Sequence, residues 1–177
     1  MGIVNTTPDS FSDGGLWAQT KTAVAHGLSL IEAGADILDI GGESTRPFSD
    51  PVDPEEEWRR VGEVVRILSH ESDCPISIDT SKAYVAKRAL ENGAEIINDV
   101  TGLEGDPAMI RIASGTGAGI CAMHMQGTPK TMQINPTYEN IVEEIHNYLE
   151  DRKNSLLSAG IALESICLDP GIGFGKT

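Results

Sequence analysis

The stretch Gly34-Ala35-Asp36-Ile37-Leu38-Asp39-Ile40-Gly41-Gly42-Glu43-Ser44-Thr45-Arg46-Pro47 decides the fold. Gly34 suits the left-handed position that ends a helix and that other residues avoid. Ile37 to Ile40 is an apolar run bounded by glycines and too short for a helix, which reads as a buried strand. Past the strand the chain turns polar at once. Gly41 and Gly42 let backbone come close to a ligand there, and Glu43, Ser44, Thr45 and Arg46 bring acceptors, donors and one positive charge.

Helix stop, strand and polar exit recur along the chain. The runs G-A-D-I-L-D-I-G-G, G-A-E-I-I-N-D-V-T-G and A-G-I-C-A-M-H-M-Q-G are weakly self-similar copies. A first strand is expected at Gly2 to Asn5, and further strands at Pro75–Asp79, Glu95–Val100, Gly119–His124 and Ile166–Leu168. Between them lie helical patterns. Val24, Leu28 and Ile31 share one face, and Trp58, Val61, Val65 and Leu68 form a second core-facing stripe. Ile141, Ile145, Tyr148, Leu149 and Leu156 form a third. Asp53-Pro54 opens one helix as N-cap and first residue, with three glutamates on the positive end of its dipole. Asp106-Pro107 repeats that opening, and Thr80-Ser81-Lys82 heads a shorter helix.

Strict strand–helix alternation means parallel strands with right-handed crossovers, an α/β architecture. A doubly wound sheet needs polar residues only at its switch point, whereas a barrel gathers every strand end around one mouth. All six strand ends here are polar, so a (β/α)8 barrel is expected. Such a barrel takes at least about 200 residues, and the chain has 177. The expectation is therefore a single, C-terminally truncated barrel domain over 1–177, with about six of eight βα units. On its own it should fold poorly and be inactive.

A net charge of −14 argues against nucleic acid or an anionic membrane as partner. Any anionic ligand then needs a local positive site. Cys74, Cys121 and Cys167 are odd in number and widely spaced, which suits small buried thiols of a reducing compartment rather than a zinc site. No apolar run approaches a membrane span and no signal peptide opens the chain, so a cytoplasmic location is expected.

Asp79, Asn98 and Asp169 each stand at a strand's C-terminal end. Two carboxylates and an amide suit the alternating donors and acceptors of an amino-pyrimidinone edge. The alternative is that they cap helices or bond to nearby backbone. Asn5 with Thr6, Thr7, Asp9, Ser10, Ser12 and Asp13 is a hard-oxygen cluster able to hold Mg²⁺ and a phosphorylated group, or else a turn-rich loop. Thr45 and Arg46 can grip an oxyanion. Gly171 to Thr177 imitates a nucleotide loop but fails both glycine spacings, since Pro170 and Lys176 stand where glycines are required. Phe174 can lie flat beside an aromatic ligand or pack in the core. His124, with no second ligand at metal spacing, reads as a hydrogen-bonded barrel histidine. Met109, Met123, Met125 and Met132 read as packing. No nucleophile elbow is present.

Six collinear stretches carry a family resemblance: G-I-V-N-T-T-P-D-S-F-S-D-G-G (2–15), G-G-E-S-T-R-P (41–47), S-I-D-T-S-K (77–82), I-I-N-D-V (96–100), M-H-M-Q-G-T-P (123–129) and L-D-P-G-I-G-F-G-K (168–176). The chain resembles the dihydropteroate synthases of the pterin-binding enzymes. These are (β/α)8 barrels, usually homodimeric, that condense 4-aminobenzoate with a dihydropterin methyl diphosphate and release diphosphate. The resemblance implies that Asn5 helps bind Mg²⁺ and diphosphate, and that Thr45 contacts the pterin diphosphate. It implies a pterin pocket lined by Asp79, Asn98 and Asp169 with Met123 against the ring. Phe11, Pro47 and Phe174 would shape the aminobenzoate site, where sulfonamides compete. Asp13 and Arg46 would act from the two loops that close the mouth. The family's Ser-Arg-Lys and Arg-x-His motifs and its dimer helices are absent here. The related pterin-binding methyltransferases lack the first two stretches, which favours the synthase. A non-catalytic pterin-binding module is the alternative from another class.

Overall fold

Among the described residues, six strands alternate with five α-helices. In chain order these are β1 (Gly2–Asn5), α1 (Gly15–Glu32), β2 (Leu38–Gly41), α2 (Pro54–Glu71), β3 (Ile76–Asp79), α3 (Ala83–Glu91), β4 (Ile96–Asp99), α4 (Met109–Thr116), β5 (Gly119–Met123), α5 (Ile141–Ser158) and β6 (Ile166–Asp169). The structure, a computed structural model, describes residues 1–7 and 15–176.

The helix signals act largely as the sequence implies. Gly34, at φ +96°, takes the chain out of α1. The Asp53 side chain accepts the Glu55 N–H, Pro54 starts α2, and Val61, Val64, Val65 and Leu68 are buried. Trp58, expected in that stripe, is only half-buried and lies under the Arg88 guanidinium. Asp106 differs from the expectation. It holds the turn before α4, accepting the Ala108 N–H, and its other oxygen accepts the Ala83 N–H at the start of α3. One carboxylate thus serves two helices, and the Lys82 side chain caps neither. On α5 only Leu156 of the expected stripe is fully buried. Ile141, Ile145 and Leu149 instead form a half-exposed apolar face with Pro170 and Ile172.

All strands pair in parallel and in sequence order, β1-β2-β3-β4-β5-β6, with no switch point. Alternate residues face opposite layers. Val4, Leu38, Ile40, Ile76, Ile78, Ile97, Ile120 and Ala122 face the helices and are buried. Each large apolar side chain so buried contributes about 1.5–3 kcal/mol, and this interface is the core.

Residues of the other parity form the inner face. Asn5, Gly41, Asp79, Asn98, Cys121 and Cys167 stand in register across all six strands. A flat six-stranded sheet would hold its edges about 24 Å apart at the usual strand spacing. Here Asn5 of β1 and Asp169 of β6 border the same cavity, so the sheet is curled as in a barrel. Cys121 is half-buried in that row, and Cys167, on the edge strand, is exposed rather than buried as expected. The three thiols are free.

Candidate functional site at the strand ends

The inner row opens at the C-terminal ends of the strands into a cavity of about 420 Å³. Asn5, Asp79, Asn98, Met123 and Asp169 reach it from five different strands, Thr45 and Arg46 from the loop after β2, and Phe174 from the segment after β6. The sequence candidates therefore share one mouth. Pro47 does not join them: it is exposed and stands outside the cavity lining. Phe11 and Asp13, with Asp9, Ser10 and Ser12, lie outside the described residues.

Gly41 makes room for the central acid. A Cβ there would come within 3.2 Å of Asp79 Oδ2, so glycine in this register row is what lets the carboxylate lie against β2. Burial pushes the Asp79 pKa well above the ordinary carboxylate range, and Asp39, Glu57, Asp99 and Glu43 add to the effect. Among the described residues its carboxyl group has no hydrogen-bond partner. A half-buried carboxyl without an internal partner can accept from a ligand that brings N–H donors, and such donors favour its ionised form.

Asp39 is a residue the sequence reading missed. It is buried on the inner face of β2, and its Oδ2 accepts from Asn98 Nδ2 at 2.9 Å. Burial raises its pKa, and the Asn98 amide partly offsets this. One Asn98 N–H is given to Asp39, which orients the amide and leaves its carbonyl oxygen as an acceptor available to the cavity. The signal was present in I-L-D-I-G: with period-two alternation, Asp39 shares the face of Gly41 and opposes Leu38 and Ile40.

Asp169 Oδ1 accepts the Gly171 N–H at 2.7 Å, and its backbone carbonyl accepts the His124 N–H. The glycine-rich segment behind it is built to touch backbone rather than phosphate. Gly171 has φ +66°, and a Cβ there would lie 2.1 Å from the His124 carbonyl oxygen. Lys176 secures the segment by donating to the His124 and Phe174 carbonyls at 2.8 and 2.9 Å, and lies 2.8 Å from His124 Nδ1. Burial and the Lys176 ammonium hold His124 below its ordinary pKa. This orders the wall that Phe174 presents.

Behind Asp79 lies a second layer of charge. Lys82 pairs with both Glu43 and Glu57, the latter completely buried. Asp99, on the helix side of β4, is also completely buried, and one of its oxygens accepts both the N–H and hydroxyl of Thr101. Its other oxygen has no partner among the described residues. Burial pushes its pKa up to about 6.

The hard-oxygen cluster expected at the N-terminus is partly committed elsewhere. Thr6 is buried and donates its hydroxyl to the Gly41 carbonyl, which binds the end of β1 to β2. Asn5 and Thr7 remain on the cavity wall. No group of three or more His, Cys, Asp or Glu among the described residues is arranged to hold a metal ion. One amide oxygen suits an ion that takes most of its ligands from phosphate and water, as Mg²⁺ does. No helix among the described residues is long and apolar enough to cross a membrane.

Comparison with known proteins agrees with this geometry. The profile of a family described as pterin binding enzyme matches residues 1–177. The chain is 52% identical over 179 residues to a dihydropteroate synthase of Neisseria meningitidis serogroup C, covering 100% of this chain and 63% of that protein. The structure of Xanthomonas albilineans dihydropteroate synthase with 4-aminobenzoic acid superposes with TM-score 0.92 at 45% identity, over 100% of this chain and 62% of that one. A Yersinia pestis dihydropteroate synthase in a sulfonamide complex gives 0.93 at 44% identity, over 100% and 64%. The chain thus spans just under two thirds of the length of these relatives, and they place its curled parallel sheet in the barrel class.

Proposed function

This chain belongs to the pterin-binding enzyme family, and we propose that its protein acts as a dihydropteroate synthase. It would join 4-aminobenzoate to a dihydropterin methyl diphosphate and release diphosphate for folate synthesis. The observation that carries the reading is the convergence of Asp79, Asn98, Asp169 and Met123 on one cavity, with Thr45, Arg46 and Phe174 at its rim.

Asp79 and Asp169 supply acceptors for the N–H groups of the pterin edge, and the Asn98 carbonyl, set by Asp39, supplies a third. Met123 offers its apolar side chain to the ring. Thr45 and Arg46 meet the diphosphate, where a positive side chain offsets charge as the leaving group departs. Phe174 flanks the aromatic amine, which attacks the exocyclic carbon as the carbon–oxygen bond to diphosphate breaks. The amine's excess proton then passes to solvent. Asn5 would help hold Mg²⁺, which when bound supplies further charge neutralisation at the diphosphate. The resemblance further supports a cytoplasmic homodimer, whose assembly sedimentation of the complete protein tests.

The experiment is direct. Complete protein given 4-aminobenzoate, the pterin diphosphate and Mg²⁺ should release diphosphate, and Asp79→Asn should remove most of that activity. Absence of release from folded protein would overturn the assignment.

A further inference from the structure

The loop from Glu43 to Val52 carries Thr45 and Arg46 to the cavity, and its two ends meet on a single oxygen. Glu43 Oε2 accepts the Val52 N–H at 2.7 Å and also pairs with the Lys82 ammonium. Lys82 in turn pairs with Glu57 on α2, whose side chain is completely buried, while Lys82 and Glu43 retain 18% and 19% exposure. The base of the loop is fixed as well. A Cβ on Gly42 would lie 2.8 Å from Val61 and 3.0 Å from Glu57, and Arg60 donates to the Gly42 carbonyl at 3.0 Å. The loop's outer contacts are weaker. Lys130 and Asp50 form an exposed pair, of a kind that contributes little. Phe48 donates its N–H to the Pro129 carbonyl at 3.1 Å.

We infer that Lys82 is a positioning residue: through Glu43 it holds the 43–52 loop in the posture that sets Thr45 and Arg46 over the cavity. Lys82 follows Asp79 by three residues, so one short segment carries both the acid of the pocket and the clamp of the loop. A buried ion pair is a poor way to gain stability compared with apolar packing, but it fixes direction. Glu57 points its charge at Lys82, and Lys82 passes that constraint to the carboxylate that closes the loop. What the loop grips rests on the synthase reading, whereas the clamp itself does not.

The test uses the complete protein with Glu43→Gln, Lys82→Arg and the double variant Lys82→Met/Glu57→Gln, which avoids leaving Glu57 buried without its cation. Three quantities are read: hydrogen exchange of the segment 43–52, the Kd for a pterin lacking diphosphate, and the KM for the pterin diphosphate. Glu43→Gln and the double variant should each raise loop exchange and KM by about tenfold, the scale of one charge-assisted hydrogen bond. The Kd for the bare pterin should not weaken by more than about twofold, because Asp79, Asn98 and Asp169 stand on strands rather than on the loop. Removing the Glu43 or Glu57 charge also favours the ionised Asp79. Lys82→Arg should recover KM to within about threefold, since the fork can still bridge two carboxylates. Unchanged loop exchange, or loss of bare-pterin affinity in parallel with KM, would overturn the inference. If exchange responds as stated but wild-type protein releases no diphosphate, the clamp stands and the synthase reading falls.

Discussion

Replacing Asp99 by Asn should remove a pH dependence from the protein's stability. The Asp99 carboxyl is fully buried, and its pKa is moved from 3.8 to about 6. Between those values the folded chain holds a proton that the unfolded chain has released. The stability associated with that proton is fully present below the unfolded value and is lost as pH rises through the folded one. Across the whole range the change is about 3 kcal/mol, at about 1.4 kcal/mol per pH unit. Between pH 5 and pH 7 the same linkage gives about 1.3 kcal/mol. Asn cannot ionise, yet it keeps an oxygen to accept from the Thr101 N–H and hydroxyl. Urea unfolding of wild type and Asp99→Asn at several pH values should therefore give free-energy curves that diverge. The variant should gain about 1.3 kcal/mol relative to wild type from pH 5 to pH 7. Parallel curves would mean that water reaches Asp99 and that it titrates normally in the folded state.

Three further outcomes follow from the site. Pterin affinity should rise with pH through the elevated pKa of Asp79, because ligand N–H groups select the ionised form; calorimetry in buffers of different ionisation enthalpy should detect proton release, and a pH-independent Kd would count against it. Asp39→Ala should weaken pterin binding by about tenfold through loss of the bond that orients Asn98, without altering loop exchange at 43–52; wild-type affinity would show that Asn98 orients itself. Gly171→Ala should destabilise by about 3 kcal/mol or more, since both a left-handed φ and a backbone clash must be relieved. Gly34→Ala, where a Cβ meets nothing within 4 Å, should cost only about 1 kcal/mol. Equal melting shifts for the two would refute the close contact with His124.

Much of the plan was legible because strand and loop differ sharply in composition. Each strand reads as a few apolar residues followed by a polar exit, and a barrel brings such exits together whatever lies between them. Asp79, Asn98 and Asp169 could be found from their place at those exits. Asp39 was not, because it lies inside an apolar run that reads as a buried strand, and only its alternation with Leu38 and Ile40 sets it on the face of Gly41. Lys82 escaped for another reason. Its place at the head of a short helix gives no hint of its partners, because Glu43 and Glu57 are 39 and 25 residues away in the chain. The dual service of Asp106 was hidden likewise, since capping rules look along one helix and Ala83 belongs to another. The α5 stripe was periodic in sequence, but periodicity identifies a helix face without naming what covers it.

The transverse row on the inner face has a consequence for how variants should fail. If any one strand slipped by a single residue, its contribution would turn from the cavity to the helix layer. Such a protein would keep its helical content and could still melt cooperatively, yet recognition would be gone. Ile78 and Ile97, paired on the opposite face, therefore act as alignment marks for chemistry they never touch, and substitutions there should be scored by ligand binding as well as by melting temperature.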